Sequence, residues 1–134
     1  FNMELPSLLS ITPIYMAILG LLFIPFTMRV GLYRVKNEIF IGPGDDPEML
    51  RRIRGQGNFI ETVPIALLLL LAMELLGAGD MWLHVLGIAL VVGRILHYVA
   101  ITELGPSVCR PIGMMATLIT ILVSSLWILI DALQ

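Results

Sequence analysis

Charge is scarce in this chain. Only 13% of its 134 residues are Asp, Glu, Lys or Arg, about half of the roughly 25% that a water-facing domain carries. Acids outnumber bases, ten to eight, so no net positive field exists to attract phosphate polymers, and a nucleic-acid binder is excluded. Cysteine occurs once, as Cys109, which cannot close an internal disulfide and so excludes a small disulfide scaffold. Low-complexity tracts and internal repeats are missing, as are catalytic-triad, phosphate-loop and zinc signatures. What remains is apolar: 58% of residues are hydrophobic and the mean hydropathy is +0.97. That composition excludes a disordered chain and defines an integral membrane protein.

Four stretches reach the roughly 17–25 apolar residues that a membrane helix needs. They run from about Leu8 to Met28, Asn58 to Leu76, Trp82 to Ile101 and Ile112 to Ile130. The expected fold is therefore an all-α integral membrane protein, a four-transmembrane-helix bundle filling residues 1–134 as one domain. Span one is too long for the apolar core of a signal peptide, about 7–15 residues, and is expected to be permanent. Asp46-Pro47 reads as a helix N-cap with proline at the first helical position. Gly77 reads as the C-terminal stop of that helix. Six of the eight basic residues lie between spans one and two, and Arg110 lies between spans three and four. The positive-inside rule then puts both basic connections in the cytoplasm and both termini on the opposite side.

Ionisable groups at membrane depth cost on the order of 2.5–3.5 kcal/mol each by insertion scales, so each demands an explanation. Arg54, Asn58 and Glu61 fall on one face of a helix at 100° per residue, with Gln56 beside them. That face is either a self-satisfied network or a polar ligand site. Arg94, His97 and Tyr98 share a second surface at i, i+3, i+4 spacing. Arg94 could neutralise Glu61 across the bundle, and His97 could be packed or chemical. Arg110, taken alone, is a headgroup anchor. Neither His84 nor His97 has a second ligand at metal spacing, so no metal is expected.

The series Arg54-x-Gln56-x-Asn58-x-x-Glu61, followed by Pro64 and later by Gly93-Arg94-x-x-His97, resembles the second- and third-helix signatures of the MAPEG family. These are membrane-associated proteins in eicosanoid and glutathione metabolism, and the chain is most similar to the small bacterial members. The resemblance covers essentially the whole chain. It implies a homotrimer in a bacterial inner membrane, with glutathione as cofactor held between subunits near the cytoplasmic face. It implies Arg54, Asn58 and Glu61 as glutathione ligands, with Gln56 and with Arg34 reaching a glutathione carboxylate. His97 matches a histidine near the family's site, and Arg94 and Tyr98 beside it complete the expected ligand set. Arg110 stands at the position of the family's catalytic arginine.

Three departures matter. Pro111 replaces a serine of the prostaglandin-synthase branch, and Met114 and Ile101 replace tyrosines. The expected function is thus a glutathione transferase or peroxidase acting on a lipophilic small molecule, with membrane lipid as its surroundings. The alternative is a non-catalytic lipid- or glutathione-binding protein of the same fold. A four-span drug transporter fits poorly, because it would need a carboxylate embedded in the first helix and span one has none.

Overall fold

A computed structural model describes residues 9–134 of the chain. Four helices follow one another: α1 Thr12–Asn37, α2 Pro47–Leu75, α3 Asp80–Ile101 and α4 Cys109–Ala132. Each is long and apolar enough to cross a membrane, and no strand occurs among the described residues. The protein is an all-helical four-span membrane protein. Leu8, the expected start of span one, lies outside the described residues.

The helices run past the apolar stretches that announce them. α1 was expected to end near Met28 but continues to Asn37, so Arg29, Arg34 and Lys36 are helical and do not belong to a loop. Hydropathy marks where the bilayer ends, whereas a helix ends where its backbone hydrogen bonds find another partner. Here Glu38 turns left-handed, and its N–H closes on the Arg34 carbonyl. α2 has 29 residues, about 44 Å at roughly 1.5 Å per residue, and overshoots a bilayer core of about 30 Å. Its N-cap is Asp46, whose carboxylate accepts the Met49 N–H at 3.1 Å. Its exit uses Gly77 at φ +90, a backbone conformation that disfavours a side chain.

Lipid chains are as apolar as leucine, so close packing and interhelical hydrogen bonds decide how membrane helices associate. Leu21, Leu68 and Leu122 point outward, each more than half exposed. Leu19, Leu70, Met73 and Leu90 fill the centre, at most 1% exposed. α3 and α4 make the most extensive pair, while α1 lies against α2 and more lightly against α3.

One contact at the end opposite the arginines was not visible in the sequence. The Glu74 carboxylate, at the end of α2, accepts the backbone N–H groups of Ser10, Ile11 and Thr12 at 3.1, 2.9 and 2.8 Å. Those are orphan donors at the start of α1, whose own N-cap, Ile11, has no side-chain acceptor. Glu74 caps another helix.

Two predictions follow from these ends. Glu74→Ala should lower stability by about 0.5–2 kcal/mol, the usual range for losing a helix cap, read as a fall in melting temperature in detergent; an unchanged melt would remove the cap. At the other end, the Met49 N–H and then the Tyr33 hydroxyl hold the Asp46 carboxyl below its ordinary value. A depressed carboxyl stabilises the fold at neutral pH, and that contribution fades as pH falls below about 4 toward the folded value. Protection of the first-turn amides of α2, measured relative to their intrinsic exchange rates, should therefore fall on acidification, and Asp46→Asn should flatten that dependence.

Candidate functional site

The basic residues collect at one end of the bundle. Arg29, Arg34 and Lys36 end α1, Arg51, Arg52 and Arg54 open α2, and Arg110 opens α4. Between α2, α3 and the start of α4 lies a cleft of about 330 Å³ lined by Arg54, Asn58, His97, Arg110 and the apolar Ile101, Pro111 and Met114. A second cleft of about 450 Å³ continues outward from it, sharing Arg54, Ile101 and Arg110 and adding Arg51, Glu103 and Ser107. Each is at the lower end of ligand-site volumes, roughly 300–1,000 Å³.

Several arginines at this end are already engaged. Arg52 pairs with Glu48 at 2.7 Å, and Arg51 pairs with Glu48 at 3.0 Å and Glu103 at 3.7 Å. Arg54 lies 3.6 Å from Glu61, two turns along the same helix, and both are about half exposed. Arg110 has no ion pair among the described residues and is exposed.

Arg94 is different in kind. Its side chain is 1% exposed and meets no carboxylate among the described residues. Its Nε donates to Thr117 Oγ1 at 2.8 Å. Its Nη1 donates to Thr62 Oγ1 at 3.0 Å and to Asn58 Oδ1. The expected pairing of Arg94 with Glu61 is thus corrected. Glu61 faces outward with Arg54, and the groups that reach Arg94 are an amide and two hydroxyls. Thr62 and Thr117 were missed because a threonine in an apolar span ordinarily bonds back to its own helix, which both also do.

Of the nine candidate residues, the structure brings Arg54, Asn58, His97 and Arg110 to one cleft, with Glu61 alongside Arg54. The other four are used elsewhere in the subunit. Arg34 donates to the Ile39 and Gly42 carbonyls at 3.0 and 2.7 Å, closing the α1–α2 loop. Gln56 donates to Thr27 Oγ1 at 3.0 Å, tying α2 to α1. Tyr98 faces α1, stacked on Phe26 at 3.6 Å between centroids, and its hydroxyl accepts from Arg29 at 3.0 Å. Arg94 lies behind Asn58.

Two glycines set how closely α4 approaches this group. A Cβ on Gly113 would stand 2.6 Å from the His97 backbone nitrogen, and one on Gly93 would stand 2.9 Å from the Gly113 carbonyl. The α3–α4 crossing brings backbone against backbone, which carries Thr117 to Arg94 and Arg110 to the cleft.

A four-helix membrane protein with a cation-rich cleft at one end is the class defined by this fold and site. The MAPEG family model matches residues 12–130, and the chain belongs to the MAPEG family. It is similar to "Inner membrane protein YecN" of Escherichia coli K12, 35% identical over 88 residues, which cover 66% of this chain and 67% of that protein. The protein of the same name from Escherichia coli O6:H1 gives the same figures.

The helix crossing can be tested apart from function. Gly113→Ala should cost about 1–3 kcal/mol, as overpacking does, and lower the melting temperature clearly. Gly31→Ala, where nothing lies within 4 Å, should leave it equal or slightly higher. Equal melts for the two variants would refute the close crossing.

Proposed function

We propose that the protein is a glutathione-dependent membrane enzyme that conjugates or reduces lipophilic electrophiles or peroxides through an arginine-stabilised thiolate. One observation carries this reading: Arg110, without an ion-pair partner among the described residues, lines one cleft with Arg54, Asn58 and His97. Glutathione has two carboxylates, an ammonium and a thiol. An arginine fork suits a carboxylate, and Glu61 suits the ammonium. Arg110 is the free cation for the thiol. Lowering a thiol pKa from about 8.5 to about 6.5 raises the thiolate fraction at pH 7 from a few per cent to most of the population. The electrophile would then arrive from the lipid that surrounds the outward leucines.

Placement follows the same reading. The relative's name supports an inner-membrane location, and the basic end would face the cytoplasm with both termini opposite. A homotrimer fits the distribution of the candidate ligands, because Arg34 and Gln56 stand apart from the cleft of their own subunit and could serve a neighbour's. The alternative is a non-catalytic binder of glutathione or lipid. It is favoured by the apolar Ile101, Pro111 and Met114 in the cleft wall, where hydroxyl groups would be expected of an active member.

Thiolate absorbance near 240 nm, followed across pH with glutathione and detergent-purified protein, separates these readings. A thiolate signal below pH 7 that is lost in Arg110→Ala, with glutathione affinity nearly retained, is the expected result. Binding without a thiolate favours the binder, and an active Arg110→Ala variant removes Arg110 from the mechanism. Glu61→Gln should weaken glutathione binding at its amino end; unchanged affinity would remove that role.

A further inference from the structure

We propose that Arg94 is a positioning residue that holds the Asn58 amide with its N–H₂ turned to the cleft, so that the cleft receives an anion through Asn58 as well as through its arginines. The identity of that anion rests on the glutathione reading, whereas the orientation of the amide does not.

The orientation follows from hydrogen-bond chemistry. A guanidinium has donors and no acceptor, so the Asn58 atom that meets Arg94 Nη1 must be the carbonyl oxygen. Nor can the neighbouring hydroxyls reverse this. Thr62 Oγ1 gives its hydrogen to the backbone carbonyl of Asn58 at 2.9 Å, and Thr117 Oγ1 gives its hydrogen to the backbone carbonyl of Gly113 at 3.0 Å. Each can therefore only accept from Arg94. With these oxygens turned to Arg94 and both hydroxyl hydrogens committed, the groups that the network leaves without a partner are N–H donors. Arg94 Nη2 is buried without a partner. Asn58 Nδ2 makes no protein hydrogen bond and is not among the buried atoms left unpartnered, so it faces open space. Asn58 lines the cleft that Arg54, His97 and Arg110 share.

A free asparagine can turn either end of its amide to a ligand. This one cannot, because turning would set its N–H₂ against the buried guanidinium. The site thereby gains a fixed donor beside two cations and rejects a ligand group that needs an acceptor from Asn58. Arg94 touches no ligand in this arrangement. It acts through the amide, and its buried positive charge adds to the preference for an anion.

Asn58→Asp tests this directly, since aspartate keeps an oxygen for Arg94 and turns a second, negative oxygen to the cleft. Reduced glutathione should bind the variant on the order of tenfold to a hundredfold more weakly by calorimetry, the loss of one charge-assisted hydrogen bond or more. The pH midpoint of thiolate formation should rise, while the melting temperature should hold or rise, because Arg94 now has a counter-ion. Arg94→Met should also raise the midpoint, and Arg94→Lys should restore part of it. Wild-type affinity and midpoint in Asn58→Asp would overturn the proposal. A second arm needs no glutathione. In protein labelled with ¹⁵N-asparagine, the side-chain N–H₂ signal that Asn58→Asp removes should exchange readily with water. Protection of that pair would overturn the orientation even if glutathione binds. If wild type binds no glutathione while the pair exchanges, the glutathione reading falls and the orientation stands.

Discussion

The arrangement of this bundle depends on where one buried positive charge is placed. Arg94 sits at 1% exposure in a chain whose surroundings are lipid, and no carboxylate neutralises it among the described residues. Such a group is costly unless its donors find acceptors, and Nε and Nη1 find them while Nη2 does not. Those acceptors come from α2, through Asn58 and Thr62, and from α4, through Thr117. Three helices are thereby fixed in rotation and depth about one guanidinium. Replacing lipid-indifferent packing with directional bonds is how a membrane protein specifies one arrangement among many equally apolar ones. Gly93 lies next to Arg94 in the chain, and with Gly113 it permits the close crossing that brings Thr117 within reach.

The two ends of the bundle are held by different means. At one end a single carboxylate, Glu74, gathers three backbone N–H groups at the start of α1. That end is closed by structure. At the other end acids and arginines are mixed, and ion pairing uses up some of the arginines but not all. Glu48 serves both Arg51 and Arg52, Glu61 serves Arg54, and Arg110 is left over. An exposed pair such as Arg54–Glu61 is worth little to stability, about 0–1 kcal/mol. Its two members can part without penalty to the fold, which suits groups that would exchange each other for the carboxylate and ammonium of one ligand.

Much of this was legible in the sequence, and the remainder fails for identifiable reasons. Four spans, the Asp46-Pro47 start of α2 and the Gly77 stop follow from local chemistry, which a single sequence displays. The end of α1 was read short because hydropathy stops at the membrane surface while the helix does not. Helical phase placed Arg54, Asn58 and Glu61 on one face, and that face exists. Phase says nothing about which residue meets another helix, however, so Arg94 was offered to Glu61 when Asn58 was its partner. Glu74 looked like one more acid near a span end, because the donors it serves are backbone groups more than sixty positions away. Arg34, Gln56 and Tyr98 carry the right chemical groups, and within this subunit those groups point to a loop, to Thr27 and to α1.

The composition of the cleft limits the chemistry it can support. Its polar wall offers two guanidiniums, an amide whose oxygen is occupied, and His97, which is almost fully buried. Such a wall stabilises an anion and places it. Its apolar wall of Ile101, Pro111 and Met114 has no hydroxyl with which to protonate a leaving group or to polarise a substrate carbonyl. On the proposed reading, then, the protein's leverage falls on the nucleophile: it raises the thiolate population and presents it at the edge of the lipid. Addition to a polarised double bond then needs only a proton from water at the carbon beside the activating group. Attack on a peroxide oxygen expels an alkoxide that water protonates, and leaves a glutathione sulfenic acid that a second glutathione reduces to the disulfide. On the same reading, an isomerisation that sets a proton at a chosen carbon or oxygen would have to draw on His97, since the apolar side of the cleft offers no hydroxyl for it.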